Sequence, residues 1–260
     1  MECQLNSNAE NVDSGNQGYG QGVYRRRILL QKTRSGVRAE LEDVTHAFRL
    51  FLAHDGATVT EVMAEPLRYP FDTCPAAVEK LHPLIGSALD VDASSLRALL
   101  DPGQNCTHLY DLTLLAMAHA VREADSRVYD ITVPDDSGGG VEIEVACDGV
   151  PVHRWTVREH QLIQPSPHAG MTLQKGFYRW ACAAFADDSL EAAQVLQRGY
   201  FVAQVRRQDY MRAGGRPATA DNMPDGACYS YNKGVVENAV HTHGMARDFS
   251  TGAEQLLRFL

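Results

Sequence analysis

The sequence predicts an α+β fold in which an antiparallel sheet has helices packed on one face. Alternating apolar and polar residues flank Asp55-Gly56, a combination that is typical of a β-hairpin. A second hairpin is indicated around Asp148-Gly149. Segments with apolar residues at helical spacing follow each hairpin, so we expect the first unit to be extended by a second hairpin and by C-terminal helices.

Three segments are predicted along the chain. Residues 1–23 are rich in Asn, Gly, Gln and Ser and hold few apolar residues, which is typical of a disordered tail. Residues 24–125 are expected to form a strand-hairpin-helix module that carries the functional site. Residues 126–260 are expected to add a β-hairpin and helices that complete the same domain.

The first two strands follow from the apolar pattern. Arg27 to Thr33 is the first predicted strand, and alternation from Val37 to Leu41 indicates the second. The apolar positions then change from odd to even numbers, which predicts a β-bulge near Glu42-Asp43 within a continuing strand.

The later elements follow from turn and helix signals. A two-residue turn at Asp55-Gly56 places Leu52 opposite Val59, and Pro66 and Pro70 are expected to end this ladder. Apolar spacing and the Pro and Gly residues at segment ends predict helices. These helices are Pro75 to Gly86, Ser94 to Leu100, Cys106 to Glu123, Leu173 to Ala186 and Leu190 to Arg212.

A metal centre is predicted where two helices begin. Cys74 and Cys106 each stand at a predicted helix N-terminus, whose unpaired N–H groups and partial positive charge favour a thiolate over a thiol. Thiolate and imidazole ligands suit zinc or iron. We therefore predict one zinc or iron ion bound by Cys74, Cys106 and His108.

Asp43 and His46 are the predicted catalytic residues. They lie at the predicted bulge, and bulges often turn a side chain toward a site. In this hypothesis the ion polarises a carbonyl or activates a water, and His46 or Asp43 moves a proton. Asp111 or Glu65 is expected to support a ligand as a neighbouring carboxylate.

Arg68 is the predicted substrate-binding residue, because a guanidinium binds a carboxylate through two hydrogen bonds. An ion pair of Arg68 with Glu65 or Glu61 is the alternative. His241 and His243 are a second possible metal-binding pair, since residues two apart share one face of a strand. A solvated surface is the preferred interpretation of that pair.

Two alternatives to the metal site stay open. Cys106 could act as a nucleophile with His46 as its base. Alternatively, Cys74 and Cys106 only cap their helices, in which case replacement by Ser leaves activity intact.

Composition argues against several other classes. The formal net charge of -9 and the lack of a dense Lys/Arg run argue against nucleic-acid binding, and Arg25-Arg26-Arg27 is interpreted as the solvated flank of the first strand. No apolar stretch approaches the roughly 20 residues that span a bilayer, and no signal peptide is evident. The irregular cysteine spacing does not resemble a secreted disulfide framework, so we expect a cytoplasmic protein. The sequence does not predict an oligomeric state.

Several motifs together resemble a known family. They are Thr73-Cys74-Pro75-Ala76-Ala77, Cys106-Thr107-His108-Leu109 and the segment from Leu41 to Phe48. These motifs are similar to those of an uncharacterised bacterial family, the domain of unknown function DUF2889. The resemblance extends over most of residues 25–260 and implies no particular activity.

The order of strand, hairpin and two Cys-led helices also resembles iron–sulfur scaffold proteins of the NifU type. That resemblance implies that Asp43, Cys74 and Cys106 bind zinc or a cluster. It further implies that His46 or His108 replaces the missing ligand.

The sequence-based hypothesis is a metal-dependent enzyme of hydrolase or lyase type. Its partner is expected to be a small organic substrate, in the catabolism of aromatic or other organic acids. The alternative is a non-catalytic metal or iron–sulfur carrier. Exposure distinguishes the two, because a carrier leaves Cys74 and Cys106 at the surface whereas an enzyme encloses them.

Overall fold

One antiparallel sheet organises the described part of the chain. A computed structural model describes residues 15–91 and 93–259, so residues 1–14 of the predicted tail lie outside it. Within these residues the strands are β1 (Val23–Thr33), β2 (Gly36–Glu42), β3 (Ala47–His54), β4 (Val59–Arg68), β5 (Ser126–Pro134), β6 (Val141–Cys147), β7 (Val150–Arg158) and β8 (Gln161–Gln164). Their order in the sheet is β4-β3-β2-β1-β5-β6-β7-β8.

The α-helices pack on one face of this sheet. They are α1 (Ala93–Leu99), α2 (Thr107–Val121), α3 (Phe177–Ala184) and α4 (Asp187–Ala203). α2 packs against β1, β2 and β3, and α4 packs against β5, β6 and β7. Both helices lie on the same side, since α2, α4, β1 and β2 line one cavity. The predicted α+β architecture is confirmed.

The remaining helical segments are short 3-10 helices, apart from one of 11 residues that begins at Cys74. They are Cys74–Leu84, Pro102–Gln104, Ser166–His168, Gln204–Arg207, Ala218–Asp221, Tyr229–Tyr231 and Ala253–Gln255. The segment predicted as a helix after Cys74 is thus present, with Pro83 inside it. None of the helices in the described residues is long and apolar enough to cross a membrane.

Side-chain alternation on β1 separates an apolar face from a charged one. Tyr24, Ile28 and Leu30 are buried beneath the helices. Arg27 points to the other face, where its Nε lies 2.7 Å from Oδ1 of Asp130. The hydrophobic core therefore lies between the sheet and the helices, and the opposite face of the sheet carries exposed ion pairs.

A tight turn, and not a bulge, separates β2 from β3. Glu42 at the end of β2 lies opposite Ala47 at the start of β3. The Asp43 N–H donates to the carbonyl oxygen of His46 at 2.8 Å, which closes the turn. The predicted bulge near Glu42-Asp43 is wrong. The apolar positions change from odd to even numbers there because one strand ends and the chain reverses direction into the next.

The hairpin between β3 and β4 has a longer loop than predicted. Leu52 lies opposite Val62, so the predicted pairing of Leu52 with Val59 is wrong. Oδ1 of Asp55 accepts a hydrogen bond from the Thr58 N–H at 2.8 Å. This side-chain contact orders a loop longer than the two residues of a type I′ turn.

Two further predictions concern β4 and the second hairpin. Pro66 does not end the ladder but lies within β4, opposite Phe48, whereas β4 does end at Arg68, before Pro70. β4 is an edge strand, where a missing N–H on the outer side breaks no ladder bond. Asp148-Gly149 does form a two-residue turn, with φ of 50° and 79° as a type I′ turn requires.

The segment after α4 packs back onto the strands of the first half. The Leu257 N–H donates to Oε2 of Glu42 at 2.6 Å. The Thr242 N–H donates to the carbonyl oxygen of Pro70 at 2.9 Å. Because β1 also pairs with β5, the sheet runs through both predicted modules. The division at residues 24–125 and 126–260 stays a prediction.

α4 approaches the sheet closely at Gly199. A Cβ atom placed there would lie 2.6 Å from Cγ2 of Ile131 on β5. This distance is well inside van der Waals contact, so the lack of a side chain at Gly199 sets how closely α4 packs on the sheet.

We expect Gly199→Ala to lower the free energy of unfolding by about 1–3 kcal/mol, because the added methyl group overpacks the contact with Ile131. At an exposed helical position the same change would stabilise by about 1 kcal/mol. Urea denaturation measures the effect. Gly139→Ala is the control, since a Cβ there has no neighbour within 4 Å. A Gly199→Ala protein as stable as the parent would contradict the close packing.

Candidate active site

The buried carboxylate of Asp43, at the β2–β3 turn, accepts hydrogen bonds at both of its oxygens. Oδ1 of Asp43 accepts from the Thr45 N–H at 3.0 Å, the His46 N–H at 2.9 Å and Nδ1 of His46 at 3.0 Å. Oδ2 accepts from the Tyr24 hydroxyl at 2.8 Å and from Nη2 and Nε of Arg26 at 2.7 and 3.1 Å. The side chain of Asp43 is therefore saturated with donors.

The charge of Asp43 is fixed by this environment. Burial alone would raise the pKa of Asp43, but the charges of His46 and Arg26 and the hydrogen bond from His46 hold it well below its usual range. An anion held this strongly is a poor proton acceptor at neutral pH. The contacts thus favour a structural and electrostatic role for Asp43 over the predicted proton transfer, which stays a prediction.

His46 and His108 lie side by side next to Asp43. Their ring centroids are 3.7 Å apart and their planes differ by 25°. Nε2 of His108 lies 2.8 Å from Nη2 of Arg26, and since a guanidinium only donates, Nε2 accepts this bond. Burial lowers the pKa of His108 to about 3, helped by the charges of His46 and Arg26, so this imidazole is neutral.

The residues at this turn form a possible metal-ligand group. Ligand atoms of Asp43, His46 and His108 lie within 4.8 Å of one another, and imidazole with carboxylate suits iron or zinc. Arg26, however, donates to Oδ2 of Asp43 and to Nε2 of His108, so these two atoms are already occupied. The stacked rings also direct their in-plane lone pairs side by side. An ion could bind here only if Arg26 moved away and a ring turned.

The two predicted cysteine ligands lie outside this group. Cys74 opens a 3-10 helix and Cys106 is the residue before α2, as predicted, and each is 7% exposed. Sγ of Cys74 lies 3.4 Å from Oγ of Ser230. Burial raises the pKa of Cys74 to about 12 and raises that of Cys106 further. Desolvation thus outweighs the helix N-terminus, and both are thiols; their metal-binding role stays a prediction.

Arg68 is occupied by protein groups. Its Nη1 donates to the carbonyl oxygens of Val44 at 2.7 Å and Met245 at 2.8 Å. Its Nη2 donates to Oε1 of Glu42 at 2.9 Å and to the carbonyl oxygen of Asp43 at 2.7 Å. Arg68 therefore ties the C-terminal segment to the β2–β3 turn. These contacts favour a structural role, and the predicted substrate contact stays a prediction.

A cavity of about 450 Å³ lies between the helices and the sheet. Such a volume falls within the roughly 300–1,000 Å³ that is typical of small-molecule sites. Most of its lining is apolar, from residues such as Ile28, Leu41, Leu96, Leu112, Leu115, Phe177 and Val195. Its charged lining residues are Arg26, Arg97, Asp111, Glu191 and Arg198. Arg26 thus belongs both to the Asp43 network and to the cavity wall.

Asp111 is a carboxyl group of this cavity whose pKa its surroundings raise. Its side chain is 23% exposed, and its Oδ2 lies 3.2 Å from Nε of Arg198. Burial raises the pKa of Asp111, although the positive charges of Arg198 and Arg26 oppose that shift. A carboxyl group with a raised pKa in an apolar cavity is a candidate for proton transfer.

The sequence interpretation missed Arg26 and misjudged the histidine pair. Arg26 is 3% exposed, so its interpretation as a solvated flank is wrong. Strand alternation places Arg26 on the same face of β1 as Tyr24 and Ile28, which is the buried face. His241 is buried with Nε2 2.8 Å from Oδ2 of Asp221, whereas His243 is exposed. The two histidines therefore do not share a site.

Comparison with known proteins bears on the first half of the chain. Residues 28–122 match a family described as a protein of unknown function, DUF2889. The predicted family resemblance is confirmed over these residues, which include Asp43, His46, His108 and Asp111. No curated protein matches the chain. The likeness to scaffold proteins of the NifU type stays a prediction.

We expect Asp43→Asn to lower the free energy of unfolding by about 3–5 kcal/mol, because it leaves the charge of Arg26 buried without a counter-ion. Asp130→Asn is the matched control, since it breaks the partly exposed pair with Arg27 on the other face of β1. That change should cost about 0–1 kcal/mol. Urea denaturation compares the two variants. Equal losses would show that burial of the Arg26–Asp43 pair does not matter.

Proposed function

We propose that the protein is an enzyme that acts on a small organic substrate held in the cavity. The observation that carries this proposal is Asp111, a carboxyl group with a raised pKa inside an apolar cavity that also holds arginine side chains. A well-formed apolar cavity with a few polar groups and a perturbed pKa is the usual form of a small-molecule active site.

The Asp43 network supports this proposal by holding Arg26 at the cavity wall. Asp43 and His108 together bind Nε and Nη2 of Arg26. Arg26 is also one of the residues that line the cavity. A guanidinium fixed at a cavity wall can bind a substrate oxygen and stabilise negative charge that develops there.

In this proposal Asp111 moves a proton to or from the substrate. Arg198, with Nε 3.2 Å from Oδ2 of Asp111, pairs with the ionised carboxylate, and the raised pKa of Asp111 makes that carboxylate a stronger base toward the substrate. Such proton transfer fits hydrolase or lyase chemistry on organic acids. Burial of Cys74 and Cys106 supports an enzyme over a carrier, which needs exposed thiols. The free cysteines of the described residues support a cytoplasmic location.

Incubation of the protein with a panel of small organic acids and their esters in D2O tests this proposal. Proton NMR then reports both turnover and deuterium exchange at an activated carbon. We expect at least one compound to react, and Asp111→Asn to slow that reaction by about 10²–10⁴-fold, the usual contribution of general acid–base catalysis.

Glu123→Gln, at an exposed acid just after α2, is the control and should leave the rate unchanged. A rate unaffected by Asp111→Asn would contradict the assigned role. If compounds bind in the cavity and none reacts, the protein is a binding protein and not an enzyme.

A metal-dependent form of the enzyme is a second candidate. The grouping of Asp43, His46 and His108 within 4.8 Å favours it. These residues would hold the ion, and zinc or iron would supply a Lewis acid. The contacts of Arg26 oppose it, as does the stacking of the imidazole rings.

Metal analysis of protein purified without an affinity tag or chelator tests the second candidate. A metal enzyme should hold one equivalent of zinc or iron, and the double variant His46→Gln, His108→Gln should lose it. His82→Gln, at an exposed histidine, is the control. Loss only in a Cys74→Ser, Cys106→Ser variant would instead support the cysteine site. Metal-free parent protein would contradict both metal sites.

A further inference from the structure

The charges of the cavity indicate which molecules it binds. We infer that its substrate is an aromatic monocarboxylate, with the carboxylate at Arg97 and the ring among the apolar side chains. This inference rests on the proposed function, because it assigns a substrate class to the same cavity. It is carried by the balance of charge among the lining residues.

Two of the three lining arginines already have a carboxylate partner. Arg26 is bound to Asp43, with Nη2 2.7 Å from Oδ2. Nε of Arg198 lies 3.2 Å from Oδ2 of Asp111. The lining carboxylate of Glu191 accepts a hydrogen bond from Nη2 of Arg122 at 2.8 Å, so its charge is balanced outside the lining.

Arg97 is the lining arginine that has no carboxylate partner among the described residues. Its guanidinium carbon lies 5.6 Å from the centroid of the Tyr178 ring. A cation–π contact of this kind does not neutralise the charge of the guanidinium, which can still pair with a carboxylate. The cavity therefore carries one unbalanced positive charge, which matches a ligand with one negative charge.

The position of Arg97 sets the orientation of the ligand. Arg97 is exposed, so it lies where the cavity meets solvent. Leu96, Leu112 and Phe177 are buried and line the interior. A ligand with its carboxylate at Arg97 keeps its charge partly hydrated and places its apolar body inside, where desolvation is favourable.

The lining also favours a flat ring over a flexible chain. Tyr110, Phe177 and Tyr178 are aromatic side chains of the cavity. Aromatic rings pack on one another in edge-to-face or offset arrangements, and a rigid ligand loses less conformational freedom on binding. These side chains lie on α2 and α3, so the ring would bind between these helices.

Isothermal titration calorimetry with benzoate, phenylacetate and their primary amides tests the inference. We expect the acids to bind at least tenfold more tightly than the amides of the same shape. Arg97→Gln should weaken acid binding at least tenfold and leave amide binding unchanged. Arg154→Gln is the control, because Arg154 is an exposed arginine paired with glutamates outside the cavity.

The outcomes separate this inference from the proposed function. Amides that bind as tightly as acids, or acid binding that Arg97→Gln does not change, would overturn the substrate class. Failure of both acids to bind would overturn it too. The proposed function is tested independently by turnover in the Asp111→Asn variant. Because Arg97 is exposed, the Arg97→Gln protein should fold, and its thermal unfolding checks this.

Discussion

The buried ion pair between Arg26 and Asp43 is the interaction on which the rest of the site depends. Removing two charges from water costs several kcal/mol per ion, and only close geometry with further hydrogen bonds offsets that cost. Here Tyr24, Thr45 and His46 supply those bonds. The pair therefore fixes the β2–β3 turn against β1, since few other arrangements satisfy all donors.

The Arg26–Asp43 pair affects both the start of α2 and the wall of the cavity. On one side it orients His108, which fixes the start of α2 above the sheet. On the other side it holds the guanidinium of Arg26 in the cavity wall before any ligand arrives. Because Arg26 is already fixed, its side chain loses little conformational entropy when a ligand binds. Asp43 and His108 therefore contribute to recognition without contacting the ligand themselves.

Sequence periodicity predicted the hairpins and the helix starts, because local patterns determine them. Periodicity also placed Asp43 and His46 together, but it did so through a predicted bulge. A change of the apolar positions from odd to even numbers is the same for a bulge within one strand and for a turn between two strands. Backbone N–H groups at the start of α2 lower the pKa of Cys106, as predicted, but desolvation raises it by more, and desolvation depends on tertiary burial. Arg97 and Arg198 come together only through packing of separate helices, which no spacing in the sequence reveals.

The position of β1 in the sheet affects how the chain folds during its synthesis. β1 lies at the centre, between β2 and β5, although it is the first strand of the described residues. The matched family segment, residues 28–122, ends before β5 begins at Ser126. A nascent chain of that length has β1 with one open edge, which invites pairing with other chains. Synthesis must therefore continue to about Pro134 before β5 can pair with the open edge of β1.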